Sequence, residues 1–142
     1  MGFDIARLDS RTRAQQGVKF IVRDPRSNRP VLTDDKQSVF ITLAGSNSDI
    51  YEAAVEEAQR ARADSASRGQ DMTREMLRTE RAMIVKACTM GWNFDMRDGQ
   101  PFPFSPENAE ALWLDRRVNW LLSEAYTFIQ NEAHFLADTP LG

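Results

Sequence analysis

The sequence predicts an α+β fold, with an N-terminal antiparallel β-hairpin packed on a small domain of about four α-helices. Three observations carry this. Residues 18–22 and 39–43 alternate in side-chain character and are rich in β-branched residues. Beyond residue 46 the apolar period becomes helical. Ser48 and Ser105 stand where helical segments begin, as capping residues should.

The first sixteen residues are polar and mixed in charge. Phe3, Ile5 and Leu8 follow no sustained period, so residues 1–16 read as a mobile arm and 17–142 as one domain. Within that domain the hairpin spans 17–45 and the helical part 46–137. Val18, Phe20 and Val22 share one face of the first strand, which Pro25 stops. Val39, Ile41 and Leu43 share one face of the second. The connection over residues 24–37 is longer than a tight turn and has room for a further short extended piece. A hairpin is marginal alone, so its apolar face must cover something.

Gly45 ends the second strand, Ser48 caps a helix and Asp49 places a negative charge in its first turn. That helix is mostly Ala, Glu and Arg, with Glu56 and Arg60 spaced to pair. Its apolar face is thin: Ile50, Ala53, Ala54, Ala58 and Ala61. Small residues there allow another helix to approach closely. "DSASRGQD" breaks the helix. From Met72 a second helix carries an apolar stripe of Met76, Leu77, Met83, Ile84, Ala87 and Cys88, with Gly91 placed as its C-terminal cap. Arg74, Arg78 and Arg81 form a separate stripe. Asp98-Gly99 signals a turn. Ser105 and Pro106 start a short helix that ends near Asp115. A last helix carries Val118, Leu121, Leu122, Ala125, Phe128, Ile129 and Phe135, and "DTPLG" closes the chain.

Composition narrows the function. Of 142 residues, 42% are hydrophobic and 27% charged, as in an ordinary globular domain. A net charge of -3 and a pI near 5.2 lack the basic footprint of a nucleic-acid binder. Lys occurs only at positions 19, 36 and 86; the other basic residues are Arg, which suits ion-paired helix surfaces and protein interfaces. One cysteine excludes an internal disulfide. No run approaches the ~18 apolar residues of a membrane span, and the N-terminus lacks a signal-peptide apolar core. Position 6 is Ala, which argues against myristoylation at Gly2.

No catalytic constellation emerges, and the chain reads as non-enzymatic. His134, the only histidine, reads as a helix-end residue near free carbonyls, and Cys88 as a small core residue. One Cys and one His do not make a metal site, and no cofactor is expected. Glu56 and Glu57 are neighbours in sequence and diverge on a helix. No GxxxxGK[ST] or GxGxxG is present. Asp71, Glu75 and Glu80 weaken the field of the Arg stripe, which reads as a solvated or interfacial face. Trp92, Phe94, Phe102 and Phe104 either plug the edge of the core or form a partner surface. Trp92, Phe102 and Phe104 are the candidate partner-binding residues. In "GQPFPFSPENA" the two prolines hold the chain extended, so Phe102 and Phe104 point to opposite sides. Phe104, next to the Ser105 cap, is expected to be buried against Ala109, leaving Phe102 for the partner.

The ordered set "LAGSNSDIYEAA", "CTMGWNF", "DGQPFPFSPENA" and "IQNEAHFL" resembles the tail assembly chaperones of long-tailed bacteriophages and prophages, over roughly residues 18–137. The resemblance implies a protein that binds the long, aggregation-prone tape measure protein, keeps it soluble and helps the tail tube protein polymerise around it. It implies action in the host bacterial cytoplasm during assembly, self-association, and release before the virion is mature. Many such proteins are made in two lengths through a translational frameshift. Nucleic acid and membrane are not expected partners. The alternative is a structural virion protein, such as a tail-completion or head–tail connector subunit.

Overall fold

The computed structural model describes residues 2–137. Met1 and the closing residues 138–142 lie outside it. Three strands, β1 (Val18–Ile21), β2 (Phe40–Leu43) and β3 (Thr89–Trp92), form one antiparallel sheet in that order. Five helices accompany them: α1 (Arg11–Gln16), α2 (Asp49–Ser67), α3 (Arg74–Cys88), α4 (Pro106–Leu114) and α5 (Asn119–Gln130). The α+β class and the β1–β2 hairpin packed on helices are as the sequence predicts.

The hairpin register places Val18 opposite Leu43 and Phe20 opposite Ile41. All four side chains are buried, on the face covered by helices. The opposite face carries Lys19, whose ammonium lies 4.5 Å from the centre of the Phe40 ring. The long connection does hold extended pieces, through bridges between Arg23 and Pro30 and between Leu32 and Ser38. The expected caps at Ser48 and Ser105 form, and Thr73, not foreseen from the sequence, caps α3. The Ser48, Thr73 and Ser105 side chains accept from the backbone N–H groups of Tyr51, Met76 and Asn108.

Four expectations need correction. The second helix does not reach Gly91. It ends at Cys88, and residues 89–92 become β3, because the outer edge of β2 needs a partner for its backbone. Gly91 pairs with Thr42 inside the sheet, beside a register shift. Residues 11–16, assigned to a mobile arm, form α1, whose Ala14 is only 1% exposed and packs with Val18 and Phe135. Residues 5–8 form a 3-10 turn with no buried residue. Arg60 pairs with Glu57 rather than Glu56, at 2.8 Å. The apolar stripe of α3 divides: Ile84 and Cys88 enter the core, whereas Leu77 and Ala87 are exposed and Met76 and Met83 are half-buried.

The main core lies where β1 and β2 meet α3, α4 and α5, around a fully buried Trp113. The Trp113 indole N–H donates to the Thr89 hydroxyl at 3.0 Å, which donates to the Val85 carbonyl at 2.6 Å. The buried polar groups are thus satisfied. A smaller cluster joins Ala14, Val18 and Phe135. The Phe135 ring lies flat against Gly45, where an added Cβ would sit 2.9 Å from ring carbons.

Gly45→Ala should therefore destabilise the protein by about 1–3 kcal/mol through overpacking. In a Phe135→Ala background the same change should cost much less, since the obstructing ring is gone. Urea unfolding of the two single variants and the double variant checks this; additive costs would contradict it.

Candidate functional site

α2 is nineteen residues long and contains no buried residue. Half-buried Tyr51 at its start packs against the main core, and the Ala-rich remainder does not. It lies along α3 with a groove between them of about 610 Å³. Ala54, Ala58 and Ala61 line one wall; Met76, Met83 and Ala87 line the other. Methionine is flexible and polarisable, and such a surface accommodates varied apolar contours.

The charged groups on the rim are already neutralised within the chain. Arg62 grips both oxygens of Glu80, at 2.6 and 2.7 Å. Glu57 pairs with Arg60, Glu75 with Arg116, and Lys86 with Glu110 at 3.7 Å. An occupant therefore meets apolar walls and no unsatisfied charge, which suits an uncharged apolar helix.

The expected aromatic residues do come together. Trp92 stacks on Phe94 with ring centres 4.7 Å apart and on Phe102 at 5.5 Å, and meets Phe104 edge-on at 5.2 Å. Its indole N–H donates to the Phe102 carbonyl at 3.3 Å. The two phenylalanines do split between core and surface, but in the sense opposite to that expected. Phe102 is 6% exposed and belongs to the core; Phe104 is 37% exposed. The reason lies in the two-strand ribbon of β4 (Met96–Arg97) and β5 (Gln100–Pro101), closed by the Asp98-Gly99 turn. It delivers the Phe102 N–H to the Asp95 carbonyl at 2.6 Å and leaves the ring between Trp92 and the Arg97 guanidinium, 5.3 Å from the ring centre. Ala109 is too small a staple to outweigh that. Trp92 is half-buried, so of the three candidates Phe104 has the most accessible ring.

Charges brace this ribbon. Arg117 grips both oxygens of Asp98, at 2.7 and 2.9 Å, and also holds Asp115. Arg97 reaches Asp115 at 3.2 Å. Hydrogen bonds from the Arg117 side chain, then from its backbone N–H, hold the Asp115 carboxyl far below the usual carboxylate range.

Cys88 is fully buried, and burial pushes its thiol up to about 12. His134 stacks on Phe128 at 4.1 Å, with Nδ1 3.2 Å from the Phe128 carbonyl. Among the described residues no group of three or more potential ligands converges on a metal site, and no helix is long and apolar enough to cross a membrane. No protein-family model, curated protein or solved structure matches the chain.

The place of the groove between α2 and α3 was not picked out from the sequence, although its small-residue and Met-rich helical faces suit adaptable contacts with an apolar partner. The available signal was α2, whose face toward the methionine stripe is alanine, at Ala54, Ala58 and Ala61.

Two tests follow. Phe102→Ala should cost about 3–5 kcal/mol in denaturant unfolding, whereas Phe104→Ala should cost about 1 kcal/mol or less. Equal costs would overturn the assignment. For Asp115 the folded carboxyl lies below its unfolded value. Its contribution is complete above about pH 4 and is lost as pH falls through the folded value. The acid limb of stability against pH should be shallower in Asp115→Asn.

Proposed function

We propose that this protein is a non-enzymatic tail assembly chaperone of a long-tailed bacteriophage or prophage. It binds the tape measure protein in the host cytoplasm, keeps it soluble, hands it to the polymerising tail tube and does not remain in the mature virion. The order of sequence blocks over residues 18–137 suggests the family. The observation that carries the binding role is the groove between α2 and α3. It is long, walled by alanine and methionine and free of uncompensated charge. A tape measure protein read as a long apolar helix presents the matching surface, one of alternating apolar ridges. Phe104 and the exposed edge of Trp92 lie outside the groove lining and form an accessory contact.

Co-expression with the tape measure protein tests this. Wild type should keep it soluble and co-purify with it. Ala58→Glu and Met76→Glu each place an unpaired charge in the groove at positions that are not fully buried. They should leave the melting temperature nearly unchanged and abolish capture. Retained capture by both would refute the groove as the site. Stoichiometric presence of the protein in purified particles, by mass spectrometry, would instead support the structural virion reading.

A further inference from the structure

A second crevice lies on the side of α3 away from the groove, where α3 runs beside the start of α5. It shares no lining residue with the groove and encloses about 260 Å³. Its α3 wall is Arg74, Arg78 and Arg81, at i, i+4 and i+7 and so on one helical face. Asn119 and Ser123 are its polar groups on α5. Apart from two leucines, every lining side chain carries a hydrogen-bond donor, and none is a carboxylate.

The fold leaves these arginines uncompensated. Asp71, Glu75 and Glu80 are their acidic neighbours in sequence, but none of the three lines the crevice. Two of them are engaged elsewhere: Glu75 pairs with Arg116, and Glu80 receives both Nε and Nη2 of Arg62. Arg74, Arg78 and Arg81 form no ion pair among the described residues, and the contacts that position them are neutral. Arg78 donates through Nε to the Asn119 side-chain oxygen at 2.8 Å and through Nη2 to the Leu114 carbonyl at 3.3 Å. Its Nη1 group keeps both hydrogens for another acceptor. The same bond turns the Asn119 oxygen to Arg78, so the amide NH2, a donor, is what Asn119 has left to offer. The Arg81 guanidinium lies 5.2 Å from the centre of the Tyr126 ring, a contact that orients it without using its N–H groups. α5 starts after Val118 with no side-chain cap, which adds the positive end of a helix dipole at the same place.

We infer that the crevice between α3 and α5 binds a small, multiply charged oxyanion, with phosphate or the phosphoryl group of a small molecule as the fitting class. Guanidinium groups donate in a fork that matches phosphate oxygens, and they keep their charge at any physiological pH. The volume is several times the ~30 Å³ share of one water, so a phosphoryl group fits with room beyond it. A nucleic-acid strand fits less well, because it needs cations repeated along many phosphates, and these three are confined to one crevice. A bound anion would bridge α3 to α5 and leave the groove open.

Titration calorimetry on the purified full chain, with inorganic phosphate and with pyrophosphate in a low-salt buffer, tests this without tape measure protein, so its outcome is separate from that of the chaperone role. Wild type should bind both anions, with Kd about 1 mM or tighter for pyrophosphate. Binding should weaken as sodium chloride is added and should raise the melting temperature. Arg74→Gln, at an exposed position, should fold as wild type does and weaken binding at least about tenfold, and Arg81→Gln should do the same. Arg29→Gln, an exposed position in the connection between β1 and β2, removes the same charge outside the crevice and should leave binding unchanged. A wild type that binds neither anion, full binding by the Arg74→Gln Arg81→Gln double variant, or an equal loss in Arg29→Gln would each overturn the inference. So would a single-stranded oligonucleotide that binds more tightly than pyrophosphate through the same arginines, since the site would then belong to nucleic acid.

Discussion

Three consecutive backbone N–H groups after β2 hold the molecule together. Ala44 donates to the Cys88 carbonyl at 2.8 Å, Gly45 to the Ala14 carbonyl at 3.1 Å and Ser46 to the Ile129 carbonyl at 3.0 Å. These acceptors lie in three different helices, with Cys88 and Ile129 in the last turns of α3 and α5, where carbonyls lack intrahelical donors. One extended segment therefore caps two helices and ties down a third. It can do so only if the chain comes close, which is why residue 45 is a glycine with the Phe135 ring flat upon it. Three residues later the buried Ser48 hydroxyl donates to the Gly45 carbonyl at 2.6 Å and accepts from the Tyr51 N–H, turning the chain into α2. Strand exit, helix caps and helix start are one construction.

That construction explains why α2 can remain outside the core. Its start is fixed by Ser48, and the core closes over α3, α4 and α5 with only the half-buried Tyr51 of α2 against it. What holds α2 to the rest is polar or shallow: Tyr51 accepting from the Gln130 side chain at 2.7 Å, Arg62 on Glu80, and alanines against methionines. A helix held this way opens at lower free-energy cost than one that contributes to the core.

The legible parts of the fold were those whose signals are local. The Ser48 and Ser105 caps, the alternation of β1 and β2 and the Asp98-Gly99 turn all depend on nearest neighbours in sequence. The missed parts are decided by tertiary contacts. β3 reads Thr-Met-Gly-Trp, which neither alternates cleanly nor forbids a helix end, and only the free edge of β2 makes it a strand. α1 has six residues, far fewer than the ~12 at which isolated helices begin to persist; Ala14 against Phe135 supplies what local propensity does not. The direction of Phe102 is likewise set by Trp92 and Arg97, from outside the "PFPF" segment. At the candidate site the aromatic set was readable from composition. The groove was not, because it depends on what α2 lacks.

Charge is divided unevenly between the faces of α2 and α3. Carboxylates on the groove rim are matched with cations of the same chain, so that face is neutral and favours apolar company. On the other side of α3, Arg78 and Arg81 meet neutral partners, Asn119 and the Tyr126 ring, and form no ion pair among the described residues. An isolated uncompensated charge on a surface costs little, because water solvates it. A row of three like charges is different: each raises the energy of its neighbours, and one multiply charged anion relieves all of them together. Apolar attraction is insensitive to register, whereas charge-assisted hydrogen bonds are directional. The groove is thus suited to tolerance, accepting apolar contours of varied detail.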